Sequence, residues 1–287
     1  MKKVLLSSLI ACFVLSLSGW SWGAERVDVQ GSTTVLPIMQ IIAEEFMALN
    51  EDIEITVGGG GSGVGISALL DGVISVAMAS RQMKEEEWQK AKEKGLDIRE
   101  IEIAKDALSV VVNFLNPLSE IDIDTLQTIY TGKVNTWQEL GVALDGEIVI
   151  ISRDTNSGTF EVFSEHVLRG EELADRALRL PSNQSILNEV VSNPHAIGYV
   201  GLGYVEYGGD KIKTLVVDGV EVSAEKVLSG EYPLARGLYL YVNGEPRGAV
   251  KKLIDFILGP EGQSIVKEEG FIPVWRNNHS SAEEDYF

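Results

Sequence analysis

Glycine and short hydroxyl side chains recur directly after apolar runs at three places in the chain. "GSTT" occupies residues 31–34, "GGGGSGVG" residues 58–65 and "NSGT" residues 156–159. Each stretch precedes a segment whose apolar residues have helical spacing. Free backbone N–H groups and the positive dipole end of a helix attract anions, and hydroxyls add further donors. The three stretches therefore predict a site for a small oxyanion.

Each stretch taken alone also fits a plainer interpretation. Ser and Thr are preferred N-caps of helices, and glycine is common in tight turns. Three stretches with one layout favour the binding interpretation, because a hydroxyl can cap a helix and still contact a ligand. The hydroxyl side chains that would contribute are Ser32, Thr33, Ser62, Ser157 and Thr159.

Two arginines stand beside these stretches. Arg153 ends the apolar run "EIVIISR" just before the third stretch, and Arg81 follows "VAMAS" in a matching place. Guanidinium groups bind oxyanions through paired N–H donors. Either arginine could instead be a solvated surface residue, and Asp154 beside Arg153 is either its ion-pair partner or a turn residue.

Other chemistries fit the glycine-rich stretch less well. Gly58, Gly60 and Gly63 match the G-x-G-x-x-G pattern of dinucleotide-binding proteins, but the next predicted strand ends "AMASR" without the acidic residue that binds a ribose. No G-K-[ST] follows the glycines, and Ser62 does not stand in G-x-S-x-G. The three histidines occur in unrelated contexts. No catalytic residue, metal site or cofactor is predicted.

The elements that must position these residues alternate between strand and helix. "IEITV" and "EIVIISR" have the composition of buried strands, and "LPIMQIIAEEFMAL" has helical periodicity. This alternation predicts an α/β protein with a largely parallel sheet. In such sheets, strand-to-helix loops lie at the carboxyl ends of the strands, where ligands bind. "IREIEIA" and "ALSVVVNF" are predicted as two separate strands, and a helix is expected to begin at "ISALL".

The composition limits the partners. The chain has 287 residues and a formal net charge of −19. This length allows one large or two modest domains. The strongly negative charge argues against a nucleic acid or an anionic membrane surface as partner, since both require a basic face.

The first 23 residues have the pattern of a secretory signal peptide. Lys2 and Lys3 precede a long uncharged apolar run, and small residues follow it. An uncleaved membrane anchor is the alternative, and a lipoprotein box around Cys12 fits less well. Removal of residues 1–23 takes away two of the 24 basic residues and the one cysteine, which leaves a net charge of 22 − 43 = −21 and no disulfide.

Seven segments in order resemble the phosphate-binding proteins of bacterial Pst-type ABC transporters: "GSTTVLP", "GGGSGVGISALLDG", "MASRQMK", "SRDTNSGTFEVF", "HAIGYVGLGYV", "YPLARGLYLY" and "GPEGQSIVKEEGFIPV". The resemblance extends over residues 27–275. It implies a two-lobed periplasmic-binding-protein fold of the α/β class. Each lobe would be a mixed sheet flanked by helices, and two crossing strands would join the lobes. Residues 24–112 with 239–287 would form lobe 1, and residues 113–238 lobe 2.

The resemblance also implies a function. The protein would be a monomeric, non-enzymatic solute-binding protein of the periplasm. It would capture inorganic phosphate in the cleft between its lobes and deliver it to the inner-membrane permease subunits of an ABC transporter. Three alternatives remain open: binding of another tetrahedral oxyanion such as sulfate or molybdate, a nucleotide-dependent or hydrolytic enzyme that uses the glycine-rich stretch, and a sensor or adhesion role.

Transfer of the family's ligand positions, residue by residue, gives the following set, in which Val35 and Gly158 act through backbone N–H groups: Ser32, Thr33, Thr34, Val35, Ser62, Ser80, Arg81, Arg153, Ser157, Gly158 and Thr159. The chain departs from the family at one position. Well-known members carry, in place of Arg81, an aspartate that accepts a proton from phosphate and rejects sulfate. Asp106 is a possible substitute acceptor; otherwise it is a helix cap or a surface acid.

Overall fold

The computed structural model describes residues 24–274. The predicted signal peptide, residues 1–23, lies outside the described residues, as does the part of predicted lobe 1 beyond residue 274. No helix within residues 24–274 is both long enough and apolar enough to cross a membrane.

The described part of the chain alternates between strands and helices. The strands are β1 (Glu25–Gly31), β2 (Ile53–Gly58), β3 (Val76–Ala79), β4 (Ile98–Asn113), β5 (Glu120–Ile121), β6 (Val149–Arg153), β7 (Leu178–Leu180), β8 (Ala196–Gly201), β9 (Ile212–Thr214), β10 (Val216–Val217), β11 (Ala235–Asn243) and β12 (Ile272–Pro273). The helices are α1 (Leu36–Leu49), α2 (Ser62–Leu70), α3 (Glu85–Glu93), α4 (Ile123–Tyr130), α5 (Gly158–Phe163), α6 (Asn183–Ser192), α7 (Val205–Gly208), α8 (Ala224–Leu228), α9 (Gly248–Leu258) and α10 (Pro260–Glu268).

Helix α1 shows how the local sequence produces these elements. Proline stands in its first turn, where the missing N–H has no intrahelical partner in any case. Ile38, Ile42 and Phe46 recur at helical spacing and are almost completely buried. The helix therefore packs one apolar face on the sheet and leaves its N-terminus beside the end of β1.

The main sheet is mixed rather than largely parallel. Its strands lie in the order β2-β1-β3-β11-β4-β8-β6-β7, and β9 and β12 also pair with β4. β1 is parallel to β2 and β3, and β6 is parallel to β7 and β8. β11 and β4 are antiparallel to their neighbours in the centre. The prediction of a largely parallel sheet was therefore wrong at the centre, because these two strands run between the parallel halves.

Strand β4 connects the two halves. Residues 98–113 form one continuous strand, whereas the sequence predicted two. The segment up to Ala107 pairs with β11, and the segment from Leu108 pairs with β8. Asp106 lies next to this change in pairing. It is buried in an ion pair with Arg236, so a polar residue at this point does not interrupt the strand. The lobe boundaries given above stay a prediction.

Apolar clusters pack against the sheet on both sides of the point where β4 changes its pairing from β11 to β8. One cluster includes Phe46 of α1 and Leu253 of α9, packed against β1 and β11. Another includes Ile129 of α4 and Phe163 of α5, packed against β6 and β8. Burial of such side chains stabilises the fold and holds the connecting loops in place.

Candidate functional site

The three glycine- and hydroxyl-rich loops meet in the structure. The Oγ1 atoms of Thr34 in the first loop and Thr159 in the third lie 3.0 Å apart. The backbone N–H of Gly63 in the second loop donates to the carbonyl oxygen of Asn156 in the third at 3.0 Å. Residues more than 90 positions apart in the sequence thus enclose one small region between β1, β3 and β6.

Glycine in the second loop is required by this close approach. Gly60 and Gly61 have φ values of 120° and 100°, in the region that favours glycine. A Cβ on Gly61 would lie 2.6 Å from the carbonyl oxygen of Asn156. Helix α2 then begins at Ser62, four residues earlier than predicted. Part of the glycine-rich stretch is therefore the first turn of a helix that points at the site.

Arg153 is the central cation of the site. It ends β6, and its residue is 1% exposed. Nε donates to the carbonyl oxygen of Leu180, and Nη2 donates to the carbonyl oxygen of Pro181 and to Thr33 Oγ1. Nη1 is buried and has no hydrogen-bond partner within residues 24–274. Burial lowers the pKa of the guanidinium, against the opposing effects of Tyr199 and Asp154.

Three hydroxyls of the predicted set, one from each loop, accept a hydrogen bond from a protein N–H group. Thr33 Oγ1 accepts from Arg153 at 3.1 Å, and Ser62 Oγ accepts from the backbone of Ser80 at 3.1 Å. Ser157 Oγ caps α5 by accepting from the backbone N–H of Phe160 at 3.2 Å. A hydroxyl whose oxygen is engaged in this way still has its proton to donate. Hydroxyls that cap or brace the protein are therefore also available as donors to an anion.

The remaining predicted positions lie in the same region. Ser32 Oγ accepts from the backbone N–H of Thr34, and Val35 is the buried residue that precedes α1. Gly158 begins α5, and a Cβ there would lie 2.4 Å from Ser62 Oγ. The third loop is thus in direct contact with the start of α2.

Arg236 belongs to the site but was not singled out as a site residue from the sequence. It lies on β11, and its Nη1 donates to Thr159 Oγ1 at 3.0 Å and to the carbonyl oxygen of Ser80 at 3.3 Å. Its Nη2 lies 2.7 Å from Asp106 Oδ2 in a buried ion pair. Burial lowers the pKa of Arg236, and Asp106 opposes this effect. The available signal was the segment "YPLARGLYLY", which carried the resemblance.

Asp106 is neither a helix cap nor a surface acid. It lies on β4 and is 0% exposed. Its Oδ2 accepts from Arg236 Nε at 2.8 Å, and its Oδ1 accepts from the backbone N–H of Leu202 at 2.9 Å. The structure thus binds both carboxylate oxygens within the protein. This arrangement makes Asp106 a partner that orients Arg236.

Asn183 is a second residue that sequence reasoning missed. It is the first residue of α6 and is 0% exposed. Its Nδ2 donates to Thr34 Oγ1 at 3.0 Å, and its Oδ1 accepts from the backbone N–H of Gly201. Its position directly after the N-cap of a helix was the one available signal, and this signal is too common to single out a residue.

Arg81 is ion-paired rather than free. Its Nη1 lies 2.7 Å from Glu87 Oε2, and its Nε lies 2.6 Å from Glu161 Oε2. Lys84 Nζ also contacts Glu161, at 3.1 Å. Burial lowers the pKa of Arg81, but the hydrogen bonds that Arg81 donates to Glu87 and the charges of the Glu87 and Glu161 carboxylates outweigh this effect and raise it. Arg81 therefore connects the segment after β3 to helix α5 through Glu161 and is already paired with two carboxylates.

Comparison with known proteins agrees with this architecture. Residues 18–261 match the PBP superfamily domain. The phosphate-binding protein PstS of Bacillus subtilis is 32% identical over 263 residues, which cover 90% of this chain and 84% of that protein. A putative phosphate ABC transporter substrate-binding protein with bound phosphate from Clostridium perfringens superposes with a TM-score of 0.80. It is 35% identical, with coverage of 88% of this chain and all of that one.

A two-lobed α/β fold with a buried cation and hydroxyls between its halves is the architecture of a solute-binding protein, and the expected fold class is confirmed by these similarities. The chain belongs to the PBP superfamily and, within it, to the phosphate-binding proteins of Pst-type ABC transporters. A phosphate transport receptor from Vibrio cholerae, 26% identical with a TM-score of 0.70 over 86% of this chain and 99% of that one, is a further structural relative.

Proposed function

We propose that this protein binds inorganic phosphate between its two lobes and delivers it to the permease subunits of an ABC transporter. The observation that carries the proposal is the buried Arg153 Nη1, which has no partner within residues 24–274. An arginine N–H that is removed from water without an acceptor costs free energy. A bound anion would supply the acceptor.

The rest of the site supports an anion rather than a cation or a neutral ligand. The hydroxyls of Thr33, Ser62 and Ser157 accept from protein N–H groups and keep a proton to donate. Asp106, the nearest buried carboxylate described above, is already ion-paired with Arg236. Binding energy in such a site comes from charge-assisted hydrogen bonds.

The names of the relatives support phosphate and the transporter as ligand and partner. On this proposal the protein acts outside the inner membrane as a monomeric carrier without catalytic activity, and closure of its lobes encloses the ligand.

A second candidate is a general carrier of tetrahedral oxyanions. The observation that favours it is the position of Asp106, whose two oxygens are bound to Arg236 and to the backbone of Leu202. A site without a free carboxylate has a weaker means of rejecting sulfate, which carries no proton to donate. We favour phosphate because the relatives share this fold and bear that ligand in their names.

Titration calorimetry on phosphate-stripped protein tests the proposal. We expect saturable binding of phosphate and arsenate and weaker binding of sulfate and molybdate. The affinity should depend only weakly on ionic strength, because the contacts are buried although the net charge is −19. Sulfate binding as tight as phosphate binding would favour the general carrier, and a steep loss of affinity between low and moderate salt would contradict a buried site.

If closure of the lobes brings Gly158 against Ser62, Gly158→Ala should strongly weaken phosphate binding. The added Cβ would lie 2.4 Å from Ser62 Oγ and 2.9 Å from Ser80 Oγ. Overpacking of this kind costs about 1–3 kcal/mol, which corresponds to roughly five- to a hundredfold in affinity. Calorimetry should show weaker phosphate binding while the melting temperature of ligand-free protein changes little.

The control for this variant is Gly72→Asn, at a glycine with φ of 70° whose Cβ would meet nothing within 4 Å. Asparagine tolerates this backbone conformation. The control should bind phosphate as the unaltered protein does. Unchanged affinity in Gly158→Ala would show that the third loop and Ser62 do not approach each other in the bound state.

A further inference from the structure

The hydroxyls of Thr34 and Thr159 form a pair in which each oxygen is occupied by a protein donor. Thr34 Oγ1 accepts from Asn183 Nδ2 at 3.0 Å and from Arg236 Nη2 at 3.4 Å, and Thr159 Oγ1 accepts from Arg236 Nη1 at 3.0 Å. The two hydroxyl oxygens lie 3.0 Å apart, so one hydroxyl donates to the other. Of the two hydroxyl protons, one is used within the pair and the other remains.

The direction of these hydrogen bonds is set by the backbone behind them. Asn183 Oδ1 accepts from the N–H of Gly201, so its Nδ2 must face Thr34. Asp106 Oδ1 accepts from the N–H of the next residue, Leu202, while its Oδ2 binds Arg236. The consecutive backbone N–H groups of Gly201 and Leu202 thus fix the orientations of the Asn183 amide and the Asp106 carboxylate. Neither can turn to accept a proton from a threonine.

We infer that Asn183 and Arg236 are positioning residues that direct a hydroxyl proton of the Thr34–Thr159 pair at the bound anion, so that the site prefers the more deprotonated, dianionic form of its ligand. The inference rests on the proposed function. It places Asp106 in a supporting role through Arg236 instead of in contact with the anion. The site would then select its anion by charge and by the direction of its hydrogen-bond donors. In the well-known family members a proton-accepting carboxylate makes this selection.

The charged and titratable groups around the pair come from several elements. The cations are Arg236 on β11 and Arg153 on β6, and Asp106 on β4 is ion-paired. Tyr199 and Tyr204 also lie beside the site, and burial raises the pKa of Tyr199 to about 12 and also raises the pKa of Tyr204. Arginines stay charged and these tyrosines neutral between pH 6 and 8. Ionisation of phosphate is therefore expected to dominate the pH dependence of binding in this range.

Titration calorimetry with phosphate at pH 6 and pH 8 tests the role of Asn183. The unaltered protein should bind more tightly at pH 8. Asn183→Asp keeps the shape and the contact with Gly201 but replaces a donor by a charged acceptor. We expect a loss of at least about tenfold at pH 8 and a clearly smaller loss at pH 6, where phosphate brings an additional proton. Asn183→Ala, the matched control, removes the same donor without adding a negative charge, so its loss at pH 8 should be smaller than that of Asn183→Asp.

A double-mutant cycle tests the role of Arg236. Thr159→Val removes the hydroxyl, and Arg236→Lys keeps a charge beside Asp106 but shortens the reach to Thr159. Each variant alone should weaken phosphate binding by about tenfold. If Arg236 acts through Thr159, the double variant should be about as weak as Thr159→Val alone. Thermal unfolding of each ligand-free variant checks that it is folded.

The outcomes separate this inference from the proposed function. If the unaltered protein failed to bind phosphate, both would be overturned. If it bound phosphate but Asn183→Asp lost the same affinity at pH 6 and pH 8, the positioning role of Asn183 would be overturned alone. Additive losses in the cycle would show that Arg236 does not act through Thr159 and would overturn its positioning role there.

Discussion

Replacement of Arg153 by alanine should weaken phosphate binding far more than replacement of Arg81. Arg153 is buried, its Nη1 lacks a partner within the described chain, and Nη2 braces Thr33. Loss of a buried charge-assisted contact costs about 1.5–3 kcal/mol, or roughly ten- to a hundredfold in affinity. Titration calorimetry at neutral pH measures the difference directly.

Arg81→Ala is the matched comparison because Arg81 is also a buried arginine near the site. Its guanidinium is bound to Glu87 and Glu161, so its loss should act on the contact with α5 and only indirectly on the anion. Arg153→Lys adds a second comparison, since it keeps the charge but loses the planar group of donors. Equal, small effects of the two alanine variants would refute the assignment of Arg153 as the anion's main partner.

Asp106→Leu should lower the free energy of unfolding by about 3–5 kcal/mol. The substitution leaves the Arg236 guanidinium buried without its carboxylate, in a region where Asp106 is 0% exposed. Burial already lowers the pKa of Arg236, so an unpaired cation there would be costly. Urea unfolding of the ligand-free protein, followed by circular dichroism, measures the loss.

Two further variants make this prediction specific to the pair. Asp106→Leu combined with Arg236→Met removes both charges and should recover much of the lost stability, because a buried pair can often be replaced by apolar residues at little cost. Asp97→Ala breaks an exposed ion pair with Arg99 and should have a much smaller effect. If Asp106→Leu were no more destabilising than Asp97→Ala, the pair would not be buried as described.

The sequence alone was sufficient to predict much of this protein. The spacing of apolar residues gave the strand–helix alternation, because burial of one helix face or one strand requires that pattern. The three loops and Arg153 could be identified because glycine, hydroxyls and arginine have a limited set of chemical uses at a helix start. The resemblance then supplied the family, which the comparisons confirmed.

Only the tertiary structure decided which polar groups remain available. Arg81 and Arg153 stand in matching places in the sequence, yet the first is ion-paired with Glu87 and Glu161. Within residues 24–274 the second has a buried nitrogen with neither a hydrogen bond nor an ion-pair partner. Asp106 and Arg236 are 130 positions apart and meet because β4 and β11 are adjacent in the sheet. Hydrogen-bond partners depend on such long-range contacts, whose distances and directions do not follow from local spacing. Which polar groups of the site have partners within the protein can therefore be read only from the assembled sheet.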